Sequence, residues 1–95
     1  MRFELKPAFA RQLGKLKEKD PLRNQKLLET IRQFVHLTEQ GGPAPIGLGI
    51  KKLKGNYWEL RSSLADRIVF YRKGDLVQWI LAGSHNEVRN FLKSI

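Results

Sequence analysis

Apolar residues in the first part of the chain occur at two different spacings. Phe3 and Leu5 alternate with charged neighbours, which is typical of a short strand with one buried face. From Phe9 onward the apolar residues recur every three or four positions, which predicts a helix with one apolar stripe. Asp20-Pro21 begins a second helical pattern, because Asp is a favoured N-cap and Pro a favoured first helical residue. That pattern continues to Gly41-Gly42, so we expect a strand followed by a hairpin of two helices.

The second half of the chain has apolar residues at every second position, which is the period of a β-strand. Three strands are predicted, at residues 57–61, 66–72 and 76–82. A loop is expected before them, at 41–49, and a short helix after them, from Asn86 to Ile95, with Asn86 as its N-cap. The order strand, helix, helix, three strands, helix predicts a single α+β domain over residues 1–95, with a small and largely antiparallel sheet.

The turn signal Gly74-Asp75 sets the expected register of the last two strands. If these residues are the centre of a two-residue turn, Phe70 lies opposite Trp79 and Ile68 opposite Leu81, on a face that packs against the helices. Two large residues of the preceding strand belong to the same face, Trp58 and Leu60. The opposite face has apolar, polar and charged residues together. We expect this face, called the working face below, to carry the function. It carries Tyr57, Glu59, Arg61, Arg67, Val69 and Tyr71.

Charge is the unusual property of the sequence. The chain has 18 Lys and Arg against nine Asp and Glu, a formal net charge of +9. Two acidic residues accompany the seven cations between Gly41 and Gly74, whereas the segment after Gly74 is neutral. A field of this sign attracts phosphate backbones and acidic proteins. The cations of this basic segment are Lys51, Lys52, Lys54, Arg61, Arg67, Arg72 and Lys73.

Composition also limits the classes of protein to consider. Cysteine is absent, so neither disulfides nor thiolate ligands hold the fold together. No run approaches the roughly 18 apolar residues of a membrane span, and the first residues are charged where a secretory signal is apolar. The two His and the scattered carboxylates lack metal-ligand spacing, and no glycine-rich phosphate loop precedes a helix. We therefore expect a soluble cytoplasmic protein that uses no membrane, metal or other cofactor.

Three segments together resemble the RelE/ParE toxin superfamily. They are Lys51-Lys52-Leu53-Lys54-Gly55-Asn56-Tyr57-Trp58-Glu59-Leu60-Arg61, then Asp66-Arg67-Ile68-Val69-Phe70-Tyr71, and finally Gly83-Ser84-His85. Superfamily members typically show a Leu-Lys-Gly or Leu-Arg-Gly step, an aromatic, a Leu-Arg strand end, an Arg-hydrophobic-hydrophobic-Tyr strand and a Gly-x-His or Gly-x-Arg. The order and spacing match over nearly the whole chain.

The resemblance implies a microbial-ribonuclease-type fold. In the RelE branch, to which HigB-like toxins belong, it also implies the toxin of a toxin–antitoxin module. Such a toxin cuts messenger RNA in the ribosomal decoding site, without metal, by attack of the ribose 2′-hydroxyl on the adjacent phosphate. The implied partners are a ribosome carrying messenger RNA and an acidic antitoxin that forms a hetero-oligomer with the toxin.

That reaction needs a base for the 2′-hydroxyl, positive charge for the pentacovalent phosphate, and an acid for the leaving oxygen. Arg67 and Arg61 are the first candidates for the charge, because a guanidinium matches phosphate oxygens. His85 is the candidate acid, because imidazole titrates near neutral pH. His36 is expected to be structural or exposed. Placement of Arg61, Arg67 and His85 on separate surfaces, or burial of the Arg67 guanidinium in an internal ion pair, would leave the nuclease hypothesis without support.

The identity of the base stays open between Lys52, Lys54 and Glu59. Crowded cations can turn a Lys into a proton acceptor, whereas Glu59 can act directly or can instead orient Arg61. The lysines are equally suited to binding ribosomal RNA phosphates. The further residues expected to contact RNA are Lys51, Tyr71, Arg72 and Lys73.

Two other functions remain compatible with the sequence. A ParE-like inhibitor of DNA gyrase would share the fold and need no proton donor at His85. A non-catalytic nucleic-acid-binding module would need only the positive charge. Codon preference, the identity of the antitoxin and the oligomeric state stay undetermined at this stage.

Overall fold

The computed structural model describes residues 1–40 and 49–95, and its elements follow the predicted order with one additional strand. The elements are β1 (Arg2–Leu5), α1 (Pro7–Lys19), α2 (Pro21–Glu39), β2 (Lys51–Lys54), β3 (Tyr57–Arg61), β4 (Arg67–Lys73), β5 (Leu76–Gly83) and α3 (His85–Lys93). The additional strand is β2. Leu53 is its one apolar residue, so its sequence shows almost no alternation of apolar and polar positions. The end of the second helix predicted at Gly41-Gly42, and most of the loop predicted at 41–49, lie outside the described residues.

The five strands form one mixed sheet in the order β1-β5-β4-β3-β2. Strand β1 pairs in parallel with β5, and the remaining neighbours are antiparallel, as predicted for most of the sheet. The hairpin of α1 and α2 packs on one face, where the rings of Phe34, Phe70 and Trp79 lie 5.0 to 5.4 Å apart between centroids. The buried core between the helices and the sheet consists of Phe9, Leu13, Leu27, Phe34, Leu60, Ile68, Phe70, Val77, Trp79 and Ala82.

The hairpin of β4 and β5 turns at Gly74-Asp75, and Gly74 adopts the left-handed conformation with φ of 59°. Lys73 pairs with Leu76 across this turn, so the two central residues are those predicted from the sequence. Phe70 consequently lies opposite Trp79 in the core, which confirms that predicted pair.

Beyond that pair the predicted register is wrong by one residue. Val69 lies opposite Leu81 and Ile68 opposite Ala82, so Ile80 is an extra residue in β5 and forms a β-bulge. A shift of one residue exchanges the two faces of a strand. Ala82 therefore enters the core in the place expected for Leu81, which lies opposite Val69.

The last helix packs on the face opposite to the hairpin. Val69 of β4 and Val88 of α3 are both buried, at 0% and 3% exposure, although neither belongs to the main core. The N-cap of α3 is Ser84 and not Asn86, because the Ser84 side chain and Glu87 form a reciprocal capping box. The helix thus begins at His85, and its N-cap lies two residues earlier than expected.

The turn between β3 and β4 is fastened to α2 by polar contacts. Arg23 donates from Nε and Nη2 to both carboxylate oxygens of Asp66, at 2.8 and 2.7 Å. These hydrogen bonds raise the pKa of the Arg23 guanidinium above its ordinary value. The hydroxyls of Thr30 and Ser62 lie 3.0 Å apart in the same region. The ends of both strands are therefore held in place by the helix.

Among residues 1–40 and 49–95 there is no helix both long enough and apolar enough to cross a membrane.

We predict that Phe34→Ala lowers the free energy of unfolding by about 3–5 kcal/mol, because it removes the ring that contacts both Phe70 and Trp79. Leu22→Ala is the matched control, since Leu22 is 78% exposed, and it should change stability by less than about 0.5 kcal/mol. Urea denaturation followed by tryptophan fluorescence measures both values. Similar losses for the two variants would contradict the described core.

Candidate functional site

Two arginines and one glycine lie side by side at one end of the sheet. Arg61 of β3 is the Cα partner of Arg67 in β4, and Arg67 is the partner of Gly83 in β5. Because neighbouring strands are about 4.8 Å apart, this arginine row spans about 10 Å. His85 follows Gly83 by two residues and begins α3, so the sheet register brings the three predicted site residues to the same corner of the molecule.

Glu59 contributes a carboxylate to this corner. It lies two residues before Arg61 and therefore on the same face of β3, opposite Val69. Its Oε2 lies 3.4 Å from Nε of Arg67, and the side chains of Arg67 and Glu59 are 15% and 11% exposed. The structure thus pairs Glu59 with Arg67, where the sequence had suggested Arg61 as its partner.

This ion pair partly meets the condition set against the nuclease hypothesis, because the Arg67 side chain is 15% exposed and an arginine committed to an internal carboxylate is less available to a phosphate. The contact is a single one at 3.4 Å. The pair of Arg23 with Asp66, by comparison, has two aligned hydrogen bonds at 2.7 and 2.8 Å. A guanidinium has five N–H donors, and the contact with Glu59 involves one nitrogen. The pair of Arg67 with Glu59 is therefore less well aligned than that of Arg23 with Asp66, although the Arg67 side chain is the more buried of the two arginines, at 15% against 34% exposure.

His85 is exposed, and its ring contacts an arginine one helical turn further on. Nη2 of Arg89 lies 3.1 Å from Nε2 of His85. Arginine has donors but no acceptor, so a hydrogen bond between these two atoms requires the tautomer in which Nε2 of His85 accepts. Before Nε2 can carry a proton to a substrate, it must therefore leave Arg89. Arg89 was not among the predicted site residues, although its i, i+4 spacing from His85 is visible in the sequence.

A glycine, Gly83, lies directly before the N-cap of α3. A Cβ at Gly83 would lie 3.0 Å from Cβ and 3.1 Å from Cδ of Glu87, tighter than ordinary van der Waals contact. Glu87 needs this space because its side chain accepts from the backbone N–H of Ser84 at 3.1 Å. The capping box in turn fixes the first turn of the helix, which carries His85. Gly83 thus has a packing role that the Gly-x-His pattern alone does not show.

The other end of the arginine row touches the segment that precedes β2. Gly49 has φ of 60°, and a Cβ there would lie 2.9 Å from Cβ of Arg61. This close approach requires glycine for both its backbone conformation and its lack of a side chain. Nothing in the sequence pattern predicts that Gly49 lies against Arg61, because the two residues belong to different elements.

The two lysines considered as bases lie away from the arginine row. Lys52 is opposite Trp58, whose side chain packs against the helix-side core, and its Nζ lies 6.0 Å from the Trp58 ring centroid. Lys54 is opposite Tyr57, about 13 Å along β3 from Arg61 at the usual rise of a strand. Its Nζ donates to the carbonyl of Ile95 at 2.7 Å.

The residues predicted to contact RNA are distributed over both faces. Lys51 is exposed and opposite Glu59, so it extends the charged corner towards the sheet edge. Arg72 is exposed but pairs with Val77, on the helix side, and Lys73 is exposed beside the hairpin turn. Tyr71 is half-buried.

An aromatic group occupies the far end of the working face. The rings of Tyr71 and Tyr57 are 5.2 Å apart between centroids, and Tyr57 makes a second edge contact at 5.5 Å with Phe91 of α3. These contacts attach α3 to the sheet. His36 lies elsewhere, exposed on α2 beside Gln40, as the sequence suggested.

Within the described part of the chain, no three His, Cys, Asp or Glu side chains come together as a metal site would require.

Several solved structures share the fold of this chain. A variant of YafQ from E. coli superposes with a TM-score of 0.70 at 13% sequence identity, over 92% of this chain and 96% of that chain. A YoeB/ParE toxin from Agrobacterium tumefaciens gives 0.66 at 19% identity, over 90% and 99%. A chain of the YoeB–YefM toxin–antitoxin complex from Staphylococcus aureus gives 0.65 at 15% identity, over 90% and 97%. The chain shares the fold of these YafQ and YoeB structures.

The described elements confirm the predicted α+β architecture, with an N-terminal helical hairpin, a mostly antiparallel sheet and a C-terminal helix. No protein-family model and no curated protein matches the sequence. At 13% to 19% identity the likeness concerns the fold. The chemistry of this chain therefore has to follow from its own residues.

We predict that Gly83→Ala destabilises the protein by about 1 kcal/mol, because the added methyl group displaces Glu87 and opens the capping box. Gly14→Ala is the matched control: Gly14 is exposed within α1 with no atom within 4 Å of its would-be Cβ, so alanine should stabilise the helix by up to about 1 kcal/mol. Denaturant midpoints measure both effects. A stabilising effect of Gly83→Ala would show that the glycine has no packing role.

Proposed function

We propose that this chain is the toxin of a toxin–antitoxin module and acts as a ribosome-dependent messenger RNA endonuclease. The observation that carries the proposal is the grouping of Glu59, Arg61, Arg67 and the start of α3 with His85 at one end of the working face. This corner combines a carboxylate, two guanidinium groups and an imidazole. The RelE/ParE-like fold, found in proteins named as toxins, supports the same function.

In the proposed reaction Glu59 is the general base. It takes the proton of the ribose 2′-hydroxyl, whose oxygen attacks the adjacent phosphorus. Among the three candidate bases, Glu59 is favoured because it lies beside Arg67, whereas Lys52 and Lys54 are directed elsewhere. A carboxylate next to a guanidinium is also positioned to direct that guanidinium towards the phosphate.

Arg67 and Arg61 stabilise the pentacovalent phosphate as negative charge grows on its oxygens. Their Cα atoms are partners across β3 and β4, so both can reach one phosphate from neighbouring positions. The phosphate competes with Glu59 for the donors of Arg67. Because the present contact is a single one at 3.4 Å, this exchange breaks no aligned hydrogen bond.

Once Arg89 has released Nε2 of His85, this nitrogen takes a proton from solvent and, as part of the imidazolium, donates it to the leaving 5′-oxygen as the phosphorus–oxygen bond breaks. The products are a 2′,3′-cyclic phosphate and a 5′-hydroxyl, so atoms and protons balance without metal or cofactor. Arg89 must release Nε2 of His85 before this step. An incoming RNA phosphate is a stronger partner for Arg89 than the imidazole is, so substrate binding itself can free His85.

The partners in this proposal follow from charge. A net charge of +9 favours ribosomal RNA, and the exposed Lys51, Lys52, Lys54 and Lys73 are available to its phosphates. The same charge favours an acidic antitoxin, whose binding would form a hetero-oligomer. Structures with this fold include the DinJ–YafQ and YoeB–YefM toxin–antitoxin complexes, which supports such a partner. Translation takes place in the cytoplasm, where the chain would act.

We predict that inducing the wild-type chain in a bacterial host arrests translation and produces new transcript ends within coding sequences. Glu59→Gln, Arg67→Ala and His85→Ala should each reduce cleavage by about a hundredfold or more, since each removes a proton-transfer group or a phosphate ligand. Arg32→Ala, which deletes the same charge from the exposed side of α2, is the control and should cut like the wild type. Mapping of RNA 5′ ends measures the effect.

Two outcomes would count against the proposal. Double-strand breaks and a DNA-damage response with intact transcripts would indicate a gyrase inhibitor with the same fold. Salt-sensitive RNA binding without cleavage would indicate a non-catalytic binding module. If all three site variants cut like the wild type, the nuclease assignment could stand but these residues would not form its active site.

A further inference from the structure

Strand β5 extends beyond the strand that pairs with it on one side. The parallel pairing of β1 ends where Leu5 meets Trp79, and Lys6 adds one hydrogen bond from its backbone N–H to the Trp79 carbonyl at 3.0 Å. Strand β5 itself continues to Gly83. The backbone groups of its last residues that face this side therefore have no strand partner, and buried backbone groups without partners cost free energy.

A side chain of the first helix fills this gap. Gln12 of α1 donates from Nε2 to the carbonyl of Ala82 at 2.5 Å and accepts from the backbone N–H of Ala82 at its Oε1 at 3.0 Å. One carboxamide thus offers the same donor and acceptor pair that a residue of a neighbouring strand would offer. Ala82 is 1% exposed, so water does not replace Gln12 readily.

The position of Ala82 gives this contact its significance. It follows the bulge at Ile80, precedes Gly83 in the arginine row, and lies three residues before His85. A bulge leaves the local ladder irregular and lets the strand bend. The contact with Gln12 holds the strand beyond the bulge at a fixed place relative to α1, and this is where the chain turns into α3.

We propose that Gln12 is a positioning residue for His85, and that it acts through the backbone of Ala82. The inference rests on the proposed nuclease function and adds a residue to it that touches neither RNA nor any reacting group. Gln12 completes the sheet where β1 ends, and so sets the distance between His85 and the arginine row. Proton transfer is sensitive to this distance, and a shift of about 1 Å can reduce a rate about a hundredfold.

The test uses the purified full chain and single-turnover cleavage of a defined messenger RNA on ribosomes. Gln12→Met keeps the length of the side chain and removes both hydrogen bonds. It should slow cleavage of bound RNA by about tenfold to a hundredfold, with binding to the ribosome within about twofold of the wild type. Gln25→Met is the matched control, since Gln25 is exposed and bonds only to Glu29 among the described residues. It should leave both quantities unchanged.

A double-mutant cycle separates positioning from general destabilisation. In the His85→Ala background, Gln12→Met should slow cleavage no further, because the group that Gln12 positions has been removed. If the two effects multiply instead, Gln12 supports the fold and does not act through His85, and the inference is wrong.

The variant Gln12→Glu adds a pH-dependent readout. Its carboxylate can accept from Ala82 N–H but repels the Ala82 carbonyl, whereas the protonated acid can donate and accept as the carboxamide does. The rate of Gln12→Glu relative to the wild type should therefore rise as pH is lowered from about 8 to about 5. A pH-independent ratio would contradict the hydrogen-bonding role.

An observation independent of cleavage distinguishes failure of this inference from failure of the proposed function. The amide of Ala82 should be protected from hydrogen exchange, and the His85 ring should give one sharp set of NMR signals. Gln12→Met should reduce that protection and shift or broaden the His85 signals, while Gln25→Met should not. Unchanged Ala82 and His85 signals in Gln12→Met would overturn the inference, whether or not the wild type cuts RNA.

Discussion

The strict alternation of side chains along β3 and β4 is the constraint on which the rest of the structure depends. Leu60 and Ile68 are completely buried beneath the helical hairpin, so their neighbours Arg61 and Arg67 must lie on the other face. The antiparallel register then makes these two arginines direct partners. The same burial that stabilises the domain therefore also gathers its positive charge, and packing on one face determines chemistry on the other.

This arrangement opposes a local preference of β-sheets. Like charges placed directly opposite each other on neighbouring strands destabilise the pair, and Arg61 and Arg67 are placed in this way. Glu59 reduces the conflict, because its carboxylate lies 3.4 Å from Nε of Arg67. Places where a sequence departs from local rules are expected at functional sites. The unfavourable arginine pair thus fits a surface selected to bind an anion, since a phosphate would relieve the repulsion.

Features with a local sequence signal were predictable, and features that depend on distant residues were not. The turn at Gly74-Asp75 gave the pairing of Phe70 with Trp79, because turn residues and strand period act over a few positions. The bulge at Ile80 was not predicted, because the pattern of a continuous apolar run does not change when the run contains one extra residue. The candidate site divides in the same way: period two placed Arg61 and Arg67 on one face, whereas their direct pairing depends on the register of β3 and β4. Its remaining contacts join separate elements, those of Glu59 with Arg67, Gly49 with Arg61 and Gln12 with Ala82.

The parallel pairing of β1 with β5 has a consequence for the synthesis of the protein. Phe3 pairs with Val77, and Gln12 bonds to Ala82 across 70 positions of sequence. Such long-range contacts form late, because a large loop must close first. The β5 strand and the helix carrying His85 are synthesised after the other described elements, so the corner of Arg61, Arg67 and His85 stays unassembled while the earlier elements are already present. The topology therefore makes completion of this corner one of the last steps in forming the described fold.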